Sequence, residues 1–444
     1  MRRNKPPRPL TKTNDSLNNI TIMKRNTPLI IALTLAAIIS PIRFWGQSLD
    51  YNTFINRVMQ HNLDYAAAKL DLSVSQADLS EAKKLYSDPT LSAEYGNNSD
   101  WDIAMGQSLS FELGKTISLG KRAARIEVAR HNLDASDAGL RLFAFTLRAE
   151  ASLAYADALL ARDLANIGLQ NAQNMQSLYL SDSLRHATGE LSEIDVMQTH
   201  LEANIAKQDY LSLMVDYRNA LVQLDLLMGN TSIATQNVSG DLTTPLRSYN
   251  LDHLLHYADS LRLDIAQQRH LALASQSELT QIRRDRLPDI DLALGVNYNT
   301  RVRNEEAPAP EFVGYTLGVS IPLPFSNLNR SDIRAGQFRA QQANIQTDIV
   351  RQQARAEIIK AYNNYRSALD RLSEYKSVIL TNARQVLAGK MYAYKRGETS
   401  LLEVINAQHT YNELQQSYAE CMHECMTAWI ELERSAGTGN ITFE

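Results

Sequence analysis

The sequence has little cysteine: Cys421 and Cys425 are its only two, one turn apart on an expected helix, which excludes a disulfide scaffold. Proline is missing from Thr90 to Thr244 and from Phe325 to Glu444, so helices of unusual length can run in both stretches. No apolar run is long enough to span a bilayer as a helix. The longest, Leu29 to Ile39, has eleven residues and follows Lys24 and Arg25 in a polar, basic segment. Residues 1–47 therefore read as an N-terminal extension and signal peptide ending near Gly46 or Gln47, with no cysteine there for lipid attachment. Without that segment the chain has 37 basic and 48 acidic residues, a formal charge of −11, so no nucleic-acid partner is expected.

Catalytic and cofactor signals are equally sparse. The nine histidines include no i,i+4 pair, and no nucleophile–base spacing stands out. Gly114, Lys115 and Thr116 spell GKT, but a phosphate loop needs an earlier glycine where Leu109 stands, and Arg122 follows Lys121. In CMHECM, His423 points about 200° around the helix from Cys421, so one ion cannot easily take both thiols and the imidazole. Buried free thiols are expected instead. No enzyme activity, cofactor or metal site is expected.

What the chain does have is a repeat. TGELSEIDVMQTH from Thr188 returns as RGETSLLEVINAQH from Arg396, with Gly189 on Gly397, Ser192 on Ser400, Asp195 on Glu403 and Val196 on Val404, all 208 residues apart. The same offset takes Gly229 to Gly437. RAEASLAYADAL from Arg148 is echoed by RAEIIKAYNNYRSAL from Arg355, and LDYAAAKLDLSVSQADL from Leu63 by LDIAQQRHLALASQSEL from Leu263. Two similar units result: a first repeat over 48–230, a linker over 231–249 and a second repeat over 250–444. Within each, an opening helix (about 50–86 and 250–286) precedes a long rod, Lys121 to His186 and Asn329 to Arg396, each about 100 Å at helical rise. Return helices follow, about 191–228 and 399–435.

Between helices lie four segments of period 2, paired into hairpins at about 90–114 and 290–324. TLSAEY puts Leu91, Ala93 and Tyr95 on one side. IAMGQSLSFEL from Ile103 puts Ile103, Met105, Leu109, Phe111 and Leu113 on one side and small or polar residues on the other. IDLALGVNY from Ile290 and VGYTLGVSIPL from Val313 alternate in the same way. An apolar face opposite a small or polar one suits a membrane β-barrel, with lipid outside and water inside. Four strands cannot close, and an open edge in lipid leaves backbone groups unpaired, so several chains are expected to pool their strands.

These residues resemble the TolC-like outer-membrane efflux proteins over about 48–437. FELGKTISLGKRAARIEVA from Phe111 and GYTLGVSIPLPFSNLNRSDIRA from Gly314 look most like the heavy-metal, CzcC-like branch. The resemblance implies a mainly α chain with a small membrane β portion, assembled as a homotrimeric α-barrel and β-barrel tunnel in the outer membrane with a long periplasmic portion. Its expected function is a passive exit duct for metal cations. Its expected partners are a periplasmic adaptor (membrane fusion protein), an inner-membrane RND-type pump and outer-membrane lipid. Gly189 and Gly397 then fall at the tip turns that meet the adaptor, and Tyr394, Asp195 and Glu403 at gate or acidic-ring positions. Asn406 stands where some members have a second acid. Without the resemblance, Asp195 and Glu403 read as solvated acids at capped helix starts. Two other functions compete: the outer-membrane component of a type I protein secretion system, and a non-conducting periplasmic coiled-coil scaffold.

Overall fold

The computed structural model describes residues 48–84, 88–98, 101–230, 235, 237–242, 247–323 and 329–438. The expected signal peptide lies outside these residues. Residues 48–444 form one compact unit. In chain order its described elements are α1 (Tyr51–His61), α2 (Leu63–Ala82), β1 (Thr90–Gly96), β2 (Ser108–Ile117), α3 (Lys121–Ala187), α4 (Glu193–Leu227), α5 (Leu251–Leu261), α6 (Leu263–Arg284), β3 (Ile290–Asn299), β4 (Phe312–Ser320), α7 (Arg330–Glu374), α8 (Leu380–Lys395) and α9 (Leu401–Ala436).

The rods form as the missing prolines allow. α3 is a single helix of 67 residues, about 100 Å long. Its counterpart is α7 joined to α8 through a five-residue π turn, Tyr375–Ile379. α3 packs against α2, α4, α6 and α9, and α9 also packs against α7 and α8. The largest core cluster gathers Phe54, Tyr155, Leu159, Leu224, Met426 and Trp429 where the two repeats meet, and a smaller one gathers Met175, Leu178, Tyr394 and Val404 near the far end of the rods.

Each opening helix is broken once, where one continuous helix was expected. The breaks fall at Asn62 and Arg262, both in extended backbone, and each is tied to the end of its own return helix. Asn62 Nδ2 donates to the Leu227 carbonyl at 3.1 Å, while its Oδ1 caps α2. Arg262 Nη1 donates to the Ser435 carbonyl at 3.0 Å, and its guanidinium also holds Asp264 and Glu357. Leu227 and Ser435 are themselves equivalent positions. One joint is thus made twice with different chemistry. Beside it, a Cβ on Gly229 would stand 2.5 Å from the His61 carbonyl oxygen, so the return helix must end on glycine.

The tyrosines correct one detail of the repeat. Tyr155 packs edge-on against Tyr51 and donates to the Leu49 carbonyl; Tyr365 does the same with Tyr249 and the Arg247 carbonyl. The sequence echo pairs Tyr155 with Tyr362. Tyr362 lies one turn from Tyr365 on the same helix, so spacing alone does not separate them. The described part of the inter-repeat segment is not a loose tether: Val238 bridges to Leu49 in parallel, and Val238 and Leu242 are buried in the core.

Gly229→Ala should destabilise the protein more than Gly189→Ala. Both require a left-handed residue, which costs about 1 kcal/mol, but nothing lies within 4 Å of a Cβ at Gly189. Denaturant midpoints in detergent should rank wild type above Gly189→Ala and Gly189→Ala above Gly229→Ala; equal losses would contradict the close approach.

Candidate functional site

Two regions carry the functional residues: the sheet, and the turn that ends each rod. The sheet is antiparallel in the order β1-β2-β3-β4, so the two hairpins merge into one four-stranded surface. The segment expected as one strand from Ile103 to Leu113 is a short 3₁₀ turn, Ile103–Met105, and the strand itself runs from Ser108 to Ile117. Asp102 explains the turn, since its carboxylate caps the Ala104 amide at 2.9 Å.

Register decides the faces. Leu91 pairs with Leu113, Phe111 with Val296, Leu113 with Leu294, and Leu294 with Leu317; Tyr298 pairs with Val313 and Val296 with Tyr315. One face is therefore apolar across all four strands. Ser92, Ser110, Glu112, Gly295, Asn297, Thr316 and Gly318 fall on the other. The apolar face is bare, with Leu317 76% and Tyr315 81% exposed. A water-soluble fold would cover it; hydrocarbon does so here. Among the described residues no helix is long and apolar enough to cross a membrane.

At the far end of the rods, Gly189 and Gly397 take left-handed φ values of +79° and +73°. Each closes the same C-terminal motif: the Glu190 amide donates to the Arg185 carbonyl, and the Glu398 amide to the Ala393 carbonyl, both at 2.9 Å. Ser192 and Ser400 then cap α4 and α9 through the Asp195 and Glu403 amides. The two acids differ in their partners. Ser192 Oγ donates to Asp195 Oδ2 at 2.7 Å. Glu403 takes a hydrogen bond from Thr399 at 2.8 Å and forms an ion pair with Lys390, and these bonds hold its carboxyl below the usual range. Asn406 is exposed one turn further along the same face.

Tyr394 is buried, and its hydroxyl donates to Asp182, not to Asp195, at 3.1 Å. Arg185 lies over the Tyr394 ring at 5.1 Å and 4.0 Å from Asp182. Burial raises the Asp182 carboxyl against the pull of Tyr394 and Arg185, and burial together with Asp182 raises the Tyr394 phenol. Sequence reading missed Asp182 because SDS reads as a polar helix end. The available signal was its place in line with Met175 and Leu178, a helical stripe that is otherwise apolar.

Comparison with known proteins agrees with this geometry. Residues 254–438 match the family described as outer membrane efflux protein. Over 386 residues, 85% of this chain and 87% of the relative, the sequence is 22% identical to the cobalt-zinc-cadmium resistance protein CzcC of Cupriavidus metallidurans. It is 27% identical to the nickel and cobalt resistance protein CnrC of the same organism over 249 residues, 55% of this chain and 54% of that one. The fold superposes on a crystal structure of CusC with a TM-score of 0.72 at 19% identity, covering 87% of this chain and 91% of that one. These matches make the chain similar to the outer-membrane efflux proteins, and with the bare apolar sheet and the long rods they support an exit duct whose sheet sits in the outer membrane and whose rods extend into the periplasm.

Leu317→Arg should impair membrane assembly by about 2–4 kcal/mol, whereas Thr316→Arg, its neighbour on the polar face, should be tolerated. Folding into vesicles followed by gel shift compares them, and equal damage would overturn the assignment of faces.

Asp182 gives a pH prediction. A carboxyl raised by burial binds its proton more tightly in the folded state, so its contribution is full below the ordinary carboxylate value of 3.8 and is lost as pH rises through the raised value. Thermal midpoints of wild type should therefore fall more steeply than those of Asp182→Asn as pH rises from 4 towards neutrality. Parallel curves would contradict this account.

Proposed function

We propose that three copies of the chain close a twelve-stranded barrel and a helical tunnel, and that the tunnel passes metal cations handed on by a periplasmic adaptor and an RND-type pump. The observation that carries the oligomer is the sheet itself: β1 and β4 are open edges, and an edge in lipid is unsatisfied unless another chain pairs with it. The number three follows the family. A second feature supports it: on α4, Ile194, Leu201, Val215 and Val222 are exposed at multiples of seven residues, with Met197 and Leu211 three positions after heptad starts. That spacing is a coiled-coil seam with no partner among the described residues. Metal cargo is supported by similarity to two metal-resistance proteins.

In this reading the turns at Gly189 and Gly397 meet the adaptor. Tyr394 with Asp182 braces the rods inward near the tip, and Asp195, Glu403 and Asn406 line the constriction. Lys390 offsets the charge of Glu403, so cation preference there depends on that ion pair opening. Light scattering in detergent should give three times the mass of one chain. In planar bilayers, Tyr394→Phe with Asp182→Ala should raise single-channel conductance, and Glu403→Gln should lower cation selectivity. A monomer that keeps its secondary structure overturns the oligomer, and unchanged conductance and selectivity in these variants overturn the gate.

A further inference from the structure

Away from the tip, α3 and α6 bring together three side chains that no step above uses. His131 and Asp134 lie one turn apart on α3, and His270 faces them from α6. One ligand atom from each can be chosen so that all three lie within 4.8 Å of one another. We propose that His131, Asp134 and His270 form a binding site for a divalent transition-metal ion of the cobalt, nickel or zinc type.

Among the described residues neither imidazole has another partner at Nδ1. His131 Nδ1 and His270 Nδ1 are buried and have no hydrogen-bond partner among the described residues. The nearest carboxylate oxygen, Asp134 Oδ2, is 4.0 Å from His270 Nδ1, too far for a hydrogen bond. Buried nitrogens without partners are costly to keep, and a metal ion satisfies a neutral imidazole nitrogen directly. The helices approach closely enough for this because the residues between them are small. Ala135 and Ala138 on α3 and Ala274 on α6 are buried. A Cβ on Gly139 would stand 2.6 Å from Nε2 of Gln267, one turn before His270 on the same face of α6. Four-coordinate binding needs ligand atoms about 3.4 Å apart around a metal at about 2.1 Å. Closing from 4.8 Å to that spacing takes about 1.4 Å per pair, shared between two side chains.

The ligand set fixes the class of ion. Two imidazoles and a carboxylate suit zinc, cobalt, nickel or copper(II). Copper(I) takes thiolates or thioethers, and magnesium and calcium take oxygens. Three protein ligands leave a coordination position open, and Asp134 is partly exposed, so the ion can exchange with solvent. The site begins about 15 Å along α3 from its first residue, Lys121, at helical rise, which places it in the third and fourth turns of the helix that leaves the sheet. This proposal rests on ligand geometry, not on the cargo reading, and it stands if the transported substrate is not a metal.

The test uses the full-length protein in detergent, purified without a histidine tag and titrated with Co²⁺ by calorimetry and visible absorption. Wild type should bind one ion per chain with absorption bands of nitrogen and oxygen coordination. His270→Gln and Asp134→Asn should each weaken that binding at least tenfold, and His256→Gln, on an exposed face of α5, should leave it unchanged. A hundredfold excess of Mg²⁺ should not compete. Circular dichroism and mass confirm that each variant folds; if one does not, the other, with His131→Gln, decides. Absence of stoichiometric binding, or binding indifferent to all three ligand substitutions, overturns the site. Metal sensitivity of cells lacking the protein tests the cargo reading separately, so the two can fail independently.

Discussion

Backbone amides and carbonyls in hydrocarbon have no water to turn to, and most of this architecture follows from that constraint. Two hairpins from separate repeats merge into one sheet of four strands, which satisfies every interior ladder and leaves two edges. Helices cannot cover those edges at membrane depth without losing the lipid face. In the proposed assembly the partner is another copy of the same sheet. The exposed seam on α4 carries the same requirement into the water-filled region, where hydrophobic burial, not unsatisfied hydrogen bonds, supplies the drive.

The periplasmic part solves a different problem, that of holding rods about 100 Å long in fixed rotation. A joint built twice does this near the membrane-side core. In the first repeat it is a neutral amide, Asn62, and in the second a guanidinium, Arg262, yet both close on the last turn of the return helix. Next to each joint sits a buried acid, Asp225 or Glu433, whose carboxylate is taken by groups just past the glycine turn, Asn230 and Thr235 in one case and Thr438 in the other. Tyr249 adds a further bond to Glu433 at 2.5 Å. Equivalent positions thus keep their mechanical role while the chemistry diverges. Weak sequence identity between the halves hides this because the contacts run between positions that are far apart in the chain.

At the tip, the charged residues are balanced before any assembly forms. Lys390 meets Glu403, and Arg185 meets both Asp182 and Glu190. A bare ring of carboxylates would repel itself, whereas in the proposed constriction these pairs would let acids gather at small electrostatic cost. The buried bond between Tyr394 and Asp182 joins α8 to α3, the two rods, and so ties the repeats together at the end opposite the joints.

Local patterns were legible in the chain itself. Alternation in VGYTLGVS assigned Leu317 and Thr316 to opposite faces because successive Cβ atoms on a strand point to opposite sides. Ser192 and Ser400 announced helix starts, and Gly189 and Gly397 announced turns, because those conformations need those residues within a few positions. Rod length followed from the missing prolines. Tertiary structure alone decided that the hairpins share one sheet, that Tyr365 and not Tyr362 is the counterpart of Tyr155, that Asp182 meets Tyr394 across 212 residues, and that His131 and Asp134 face His270. The physical reason is the same in each case. Spacing within one helix says which residues share a face, but the rotation of that helix about its axis and its sliding register against a neighbour are set by packing of the whole. A change of one turn in either would exchange every long-range partner while leaving the local pattern intact.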